Sequence, residues 1–267
     1  MDYVADLLAV IAAPTATDKA ALLARCVPPA EHTTWDQPSF PARPGRPPEW
    51  SESAMPPRRR RTLSHAGTRN RFLLAIHHIE LSAVDLALLA CLRGSGAPQE
   101  LHQDFLAIAR DEARHARLLE DLLATRGLRP GDEPIHHRLW DTALACVDLG
   151  EHLVAVPRFL EARGLDVSAE LLPRLAPMDP AAHAVLSVIY HDEIGHVAIG
   201  SRWHQWWCAG HGLDAEAHFQ AVVTKRFPGQ VPGPTPLDHS GRLQAGFSAL
   251  DLTWLAEGTG REAGVRE

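Results

Sequence analysis

Two pairs of glutamate and histidine residues share a spacing that suits metal binding. Glu112 and His115 form one ExxH pair, and Glu193 and His196 form another. Residues three apart lie on the same face of an α-helix, so each pair can direct a carboxylate and an imidazole towards one point. Burying such groups without a partner costs several kcal/mol, and a metal ion offsets that cost. Both pairs therefore predict metal ligation.

A further glutamate precedes each pair at one fixed distance. Glu80 lies 32 residues before Glu112, Glu161 lies 32 residues before Glu193, and the two sets are offset by 81 residues throughout. One glutamate from each of two helices plus an ExxH pair from each of two others is the ligand set of carboxylate-bridged dinuclear sites. Its four carboxylates balance the charge of two divalent cations. The predicted ligands are Glu80, Glu112, His115, Glu161, Glu193 and His196.

Glu151 is an alternative to Glu161 on the third helix. It lies thirteen residues before Gly164, the expected end of the third helix, and Glu193 lies thirteen residues after Pro180, the expected start of the fourth. In a simple helical hairpin, Glu151 and Glu193 would therefore lie side by side. Glu151 breaks the 32-residue spacing, however, and this favours Glu161.

Five more residues are candidates to position the ligands. A liganding histidine usually donates its other N–H to a carboxylate, and Asp111 and Asp192 directly precede the two ExxH glutamates. The alternative for each aspartate is a surface ion pair with an arginine. Tyr190 and His77 each precede a predicted ligand by one turn, with plain packing as the alternative, and Asp85 lies five residues after the first glutamate. We find no Gly-rich phosphate loop and no GxSxG motif, so no other cofactor or catalytic residue is predicted.

Four long helices must carry these ligands. Apolar residues in the second segment recur at spacings of three and four, from Leu101 to Leu122, and glycine and proline residues separate the segments. Almost no segment alternates with period two, so no sheet is expected. We predict an all-α, ferritin-like four-helix bundle over residues 66–209. Its helices are expected at 66–93, 98–126, 136–164 and 180–209.

Helical and proline-rich segments flank the predicted bundle. Residues 1–27 are expected to form two N-terminal helices, at 3–13 and 17–27. Residues 28–65 carry many prolines and the run Arg58 to Arg61, which predicts an extended arm. Residues 210–267 predict a C-terminal helical extension, with helices near 214–226 and 240–257.

Composition limits the classes of function. The net charge of −7 argues against a broad nucleic-acid interface. The four cysteines include no CxxC pair, and we expect them to be small buried side chains in a reducing compartment. Neither a signal peptide nor a run of about 18 apolar residues is present, so a cytoplasmic protein without a membrane span is expected. The arm and the C-terminal extension favour a monomer or dimer over a cage subunit.

Most of the chain resembles one ferritin-like family, DUF455. The matching stretches are HHIELSAVDLAL (77–88), DEARHARLLEDLL (111–123), VPRFLEARGLDV (156–167) and IYHDEIGHVAIGSRW (189–203). The resemblance implies the same six metal ligands and favours Glu161 over Glu151. Asp85 departs from the pattern, because the family more often has glutamate there. The motif order is more distantly similar to that of diiron hydroxylases that act on tRNA and on quinones.

These patterns lead to a non-haem diiron oxidoreductase as the first hypothesis. Two iron ions, or manganese or a mixed pair, would use O2 and electrons from an external reductase. The oxygenase or oxidase would act on an unidentified small-molecule or RNA-borne substrate. Ferritin-like iron storage and a metal-stabilised binding protein without turnover are the alternatives.

Overall fold

The computed structural model describes residues 2–53 and 63–258, and every regular element in these ranges is helical. Extended pairing is limited there to an isolated bridge between Glu52 and Ile135. The predicted all-α class is confirmed, whereas the ferritin-like four-helix arrangement stays a prediction. By its internal contacts the chain forms two compact units. The first comprises Met1–Ala145 and Met178–Val185, and the second comprises Cys146–Pro177 and Leu186–Glu267.

The first unit is built on two long helices and three shorter ones. The helices are α1 (Tyr3–Ala12), α2 (Ala16–Leu23), α3 (Ala66–Arg93), α4 (Gln99–Ala124) and α5 (Arg138–Leu144). The side chains of Asp2 and Thr15 cap α1 and α2 by accepting backbone N–H groups of the first turn. The bounds of α1, α3 and α4 agree with the expected segments within two residues, whereas α2 ends at Leu23, four residues before the expected end at 27.

Helices α3 and α4 differ in how they are buried. Helix α4 is amphipathic and buries one stripe of residues, as predicted, whereas α3 is buried on all sides from Glu80 to Leu92. By length and composition α3 could cross a membrane, but 78% of its most apolar 18-residue window is buried inside the protein. The core helix of a folded domain has the same appearance, and buried polar side chains of α3 such as His77, Glu80 and Asp85 have partners within the first unit.

The proline-rich arm packs on the first unit where the structure describes it. Residues 28–53 contain no helix. Beside the Glu52 bridge, the N–H of Ser53 donates to the carbonyl of Ile135, and the N–H of Ile135 donates to the carbonyl of Ser51. Gly45 lies so close to α1 that an added Cβ would meet the carbonyl oxygen of Ala12 at 1.9 Å. The backbone N–H of Gly45 donates to the carbonyl of Ile11 over 2.8 Å. The arginine run at 58–61 lies outside the described residues.

The second unit contains a π-helical segment and several further helices. Its elements are α6 (Leu149–Leu153), the π segment (Val154–Glu161), α7 (Ala162–Met178), α8 (Pro180–Gly210), α9 (Ala215–Arg226), α10 (His239–Gln244) and α11 (Ala249–Glu257). The last residue of α7 and the first turns of α8 belong to the stretch Met178–Val185, which is assigned to the first unit. The apolar core of this unit includes Phe159, Phe219 and Phe247.

The prediction of one continuous helix at 136–164 is wrong, because the chain breaks after α5 and remains helical beyond residue 164. Helix α5 ends at Leu144, and α6 begins anew after Asp148, whose side chain caps it by accepting the N–H of Glu151. The chain then stays helical past Gly164 to Met178, because burial of Leu171 and Leu175 holds α7 despite its prolines. The expected helix near 240–257 is likewise divided, at Gly246, whose φ of 82° favours glycine.

Pro157 explains the π segment, and Gly200 of α8 packs against this proline. Proline has no N–H and cannot continue the regular α-helical hydrogen bonds, and the wider π turn accommodates it. Pro157 packs directly on Gly200, where an added Cβ would lie 2.3 Å from the proline Cβ. Glycine at this position therefore allows α8 to approach the segment that ends at Glu161.

Candidate metal centre

The first unit brings three predicted ligands together in its core. Glu80 comes from α3, while Glu112 and His115 come from one face of α4. The Nδ1 atom of His115 lies 3.1 Å from Oε2 of Glu80 and 3.4 Å from Oε2 of Glu112. One ligand atom of each residue lies within 4.8 Å of the others. Glu112 and His115 are fully buried and Glu80 is 5% exposed, so this is a preformed set of two carboxylates and one imidazole.

The pKa values of Glu80 and His115 are shifted by burial and by their contacts with one another. Burial raises the pKa of Glu80 to about 7, and the Glu112 carboxylate beside it adds to the shift. Burial alone would lower the pKa of His115, but hydrogen bonds with Glu112 and Glu80 outweigh it and raise that pKa to about 10. In the metal-free protein a protonated His115 therefore offsets the charge of one carboxylate. A divalent cation fits the same position, because it needs the deprotonated carboxylates and the Nδ1 lone pair.

The other three predicted ligands all lie in the second unit. Glu193 and His196 share one face of α8, with 3.5 Å between Oε1 of Glu193 and Nδ1 of His196. Glu161 ends the π segment and is half-buried, and His196 is 3% exposed. The sequence predicted this set by its 81-residue repeat, and its union with the first set into one centre stays a prediction.

Glu151, the alternative to Glu161, is fully engaged elsewhere. Its carboxylate accepts from Lys225 over 2.7 Å, from Arg226 on the same helix, α9, and from the backbone N–H of Val147 over 3.2 Å. Burial would raise the pKa of Glu151, but these donors outweigh it and lower the pKa to about 2. The hairpin argument for Glu151 also fails, because the helix does not end at Gly164. Glu151 is therefore occupied by other partners, and ligation by Glu161 stays a prediction.

Replacing Glu151 with glutamine should destabilise the protein in a pH-dependent way. The charge-assisted bonds to Lys225 and Arg226 are worth about 2 kcal/mol together at neutral pH. Because the folded-state pKa lies below the ordinary value of 4.5, this stability is fully present above pH 4.5 and is lost as the pH falls through about 2. Thermal unfolding should show a lower midpoint for Glu151→Gln at pH 7 and a shrinking difference towards pH 2.

A suitable control is Glu170→Gln. Glu170 pairs with Arg174 at the surface of α7, where both side chains are more than half exposed, so its loss should change the midpoint little. Equal effects of the two substitutions at pH 7 would contradict a structural role for Glu151.

Asp85 forms two buried ion pairs and does not position a metal ligand. Its Oδ1 accepts from Nζ of Lys19 over 2.7 Å, and its Oδ2 accepts from Nη1 of Arg46 over 2.9 Å. Lys19 is fully buried and also donates to the carbonyls of Val10 and Ile11. Asp85 is therefore the shared counter-ion of two buried cations, one from α2 and one from the arm, and it is not available to hold a metal-ligating histidine.

The remaining candidates have mixed outcomes. Asp111 forms the surface ion pair that was its alternative, accepting from Arg114 over 2.9 Å with both side chains more than 40% exposed. Nε2 of His77 lies 3.0 Å from Glu120. The hydroxyl of Tyr190 donates to Asp238 over 2.6 Å. Asp192 is half-buried on α8, and its proposed role stays a prediction.

Sequence reasoning missed a second cluster of ligand-type residues, in the second unit. Nε2 of His204 lies 2.9 Å from Nδ1 of His218 and 3.3 Å from Sγ of Cys208. The guanidinium of Arg158 donates to Nδ1 of His204 over 2.8 Å and cannot accept, so the histidine proton lies on Nε2. Metal-ligating histidines carry their proton on the other nitrogen. We therefore interpret this cluster as a hydrogen-bonded network. The spacing of His204 and Cys208 on one helix is visible in the sequence, whereas His218 on α9 is not signalled.

Comparison with known proteins places the chain in a family without assigning an activity. Residues 8–253 match the family described as "Protein of unknown function (DUF455)". An uncharacterized protein of Haemophilus influenzae is 39% identical over 194 residues, which cover 69% of this chain and 67% of the relative. No solved structure matches the chain. Since the family match spans nearly the whole sequence, the chain belongs to the DUF455 family.

Proposed function

We propose that this protein is a non-haem dinuclear iron oxidoreductase that uses O2 to oxidise an organic substrate. The observation that carries the proposal is the buried set of Glu80, Glu112 and His115, in which two carboxylates and an imidazole nitrogen converge. A buried set of this kind is costly unless a cation compensates it. The 81-residue repeat supports a matching contribution from Glu161, Glu193 and His196. Oxygen- and nitrogen-rich ligands also accept manganese, and iron is our first assignment.

The donor set fits two divalent ions in charge and in ligand type. Four carboxylates supply four negative charges, and each histidine supplies one neutral nitrogen, with Nδ1 of His115 facing both Glu80 and Glu112. Two ferrous ions, when bound, supply the capacity to reduce O2 and oxidise a C–H bond or heteroatom. In a hydroxylation one oxygen atom enters the substrate and the other leaves as water. Two electrons and two protons from an external reductase complete the balance.

The residues of the chain contribute burial and proton control. Glu112 and His115 are inaccessible to bulk water, which strengthens their electrostatic interaction with a cation. The proton that Glu80 and Glu112 hold on His115 has to leave when a cation binds, so metal loading is coupled to proton release. In the second unit, Tyr190 lies one turn before Glu193 on α8, and its bond to Asp238 can keep that face of the helix polar.

Metal analysis of protein purified without added metal tests this proposal. We expect about two iron ions per chain, and we expect the ferrous protein to consume O2 in the presence of a chemical reductant. Glu112→Gln should lose both properties. Glu100→Gln, at an exposed position in the first turn of the same helix, should retain them.

Three outcomes would overturn the proposal. Absence of bound metal would remove the centre itself. Bound iron without O2 consumption would favour a metal-stabilised binding protein. O2 consumption in a particle of many subunits, measured by size-exclusion chromatography, would favour storage.

A further inference from the structure

A cavity of about 580 Å³ opens in the first unit beside α3. Its volume lies within the range of small-molecule sites, about 300 to 1,000 Å³. Its walls are mostly apolar, and the larger apolar side chains that line it are Trp50, Phe72, Leu74, Ile79 and Ile135. Ile79 is 40% exposed, so part of this apolar surface is in contact with water. An occupant that covers it would gain from the hydrophobic effect.

Trp50 forms an aromatic wall of the cavity, and its neighbours hold it in place. Gly131 has a φ of 92°, and a Cβ added there would clash with the indole of Trp50. Glycine at this position therefore lets the indole pack directly against the backbone. The same indole packs edge-on against the ring of His77, with 6.1 Å between ring centres. Together with the ring of Phe72, a fixed indole favours an aromatic occupant, because ring pairs stabilise a complex beyond the area that they bury.

Two opposite charges also line the cavity, and neither has a partner of its own. Arg71 is exposed on α3, and Glu133 is half-buried in the segment that follows α4. Neither side chain forms an ion pair or a hydrogen bond with any of the described residues. A guanidinium and a carboxylate in one cavity can receive a carboxylate and an ammonium group of the same molecule.

An occupant with a single charge would match only half of this arrangement. A carboxylic acid would be attracted by Arg71 and repelled by Glu133, and for an amine the two effects are reversed. A phosphate ester carries about two negative charges at neutral pH, which one arginine beside one glutamate does not balance. An aromatic molecule with one carboxylate and one ammonium group suits both the walls and the charges.

We propose that this cavity binds an aromatic zwitterion of the amino-acid class, with its carboxylate at Arg71 and its ammonium group at Glu133. The aromatic ring packs against the indole and phenyl rings of the wall. His77 lines the cavity and lies one turn before Glu80 on α3, so the occupant lies near the first half of the candidate centre. That the occupant is the substrate of the metal centre rests on the proposed function; that the cavity holds such a molecule does not.

Four indoles that differ in charge test the assignment by calorimetric titration of the full chain. At pH 7, L-tryptophan carries both charges, tryptamine only the ammonium, indole-3-propionate only the carboxylate and 3-methylindole neither. We expect one site per chain and the tightest binding for tryptophan, with about a fivefold loss of affinity for each charged group that is missing. Equal affinities of tryptophan and 3-methylindole would overturn the role of the two charges. Tightest binding of a singly charged probe would overturn the zwitterion, and no binding of any probe would overturn the site.

Two variants assign the charged contacts. Arg71→Gln should weaken the binding of tryptophan and indole-3-propionate about fivefold and should not weaken that of tryptamine. Glu133→Gln should weaken the binding of tryptophan and tryptamine and should not weaken that of indole-3-propionate. Arg117→Gln, at an exposed position on α4, is the matched control and should bind all four probes as the wild type does. An equal loss for every probe in either variant would overturn the assigned contacts.

Titrations of chelator-treated and iron-loaded protein distinguish this proposal from the proposed function. Tryptophan should bind to the chelator-treated protein, because the contacts assigned to it involve no metal ion. If the protein binds tryptophan but takes up no iron, only the proposed function fails. If it takes up iron and consumes O2 but binds none of the four indoles, only the cavity proposal fails.

Discussion

Replacing Glu112 with alanine is expected to abolish the binding of both metal ions, not of one. In a carboxylate-bridged pair each ion depends on ligands that also hold the other. Loss of even an outer partner of a metal ligand costs about 10- to 100-fold in affinity, so loss of a buried ligand should cost at least about 100-fold. Iron content by mass spectrometry, after equilibration with ferrous ion, measures the effect.

The repeat supplies the matched variant, Glu193→Ala. Glu193 occupies the position 81 residues after Glu112, and its removal should cause the same loss of both ions. If each variant instead keeps one ion, the two halves of the repeat are independent mononuclear sites. The metal-free Glu112→Ala protein should remain folded, because the substitution removes a carboxylate that repels Glu80.

Replacing Asp85 with alanine should cause the largest loss of stability in the first unit. The substitution leaves Lys19 and Arg46 buried without their counter-charge, since these side chains are 0% and 5% exposed. Breaking a buried ion pair by removing one partner costs about 3 to 5 kcal/mol. Urea unfolding of the metal-free protein should show this as a markedly lower midpoint.

Asp111→Ala provides the comparison on α4. Its ion pair with Arg114 is exposed, and its loss should cost less than about 1 kcal/mol. If Asp85→Ala does not accumulate as folded protein, Asp85→Asn retains the size and one acceptor and should fall between the two. Equal midpoints for the wild type and Asp85→Asn would show that the charge of Asp85 is unimportant.

Local pattern was sufficient for two of the three residues in the first half of the candidate centre. The three- and four-residue stripe of α4 predicts which face is buried, and that face carries Glu112 and His115. Glu80 could be predicted only through its distance from Glu112, because α3 is buried all round and has no stripe to read. The all-α class likewise follows from local periodicity.

The roles of several residues depend on tertiary contacts that local sequence patterns do not show. The repeat spacing favours Glu161 over Glu151, but the engagement of Glu151 by Lys225 and Arg226 is visible only in the folded protein. The role of Asp85 depends on cations that lie 66 and 39 residues earlier in the chain. The bond from Nε2 of His78 to the carbonyl of His136 likewise joins α3 to a segment 58 residues later in the chain. Partners that are distant in the chain cannot be predicted from the periodicity of the sequence.

The ion pairs of Asp85 also set an order of events during synthesis. Lys19 leaves the ribosome 66 residues before Asp85, a delay of about 3 to 13 s at the usual rates of elongation. Through that interval its ammonium group stays hydrated, because no counter-charge for its burial has yet been made. The N-terminal helices and the arm are therefore translated first but can dock only after α3 has emerged.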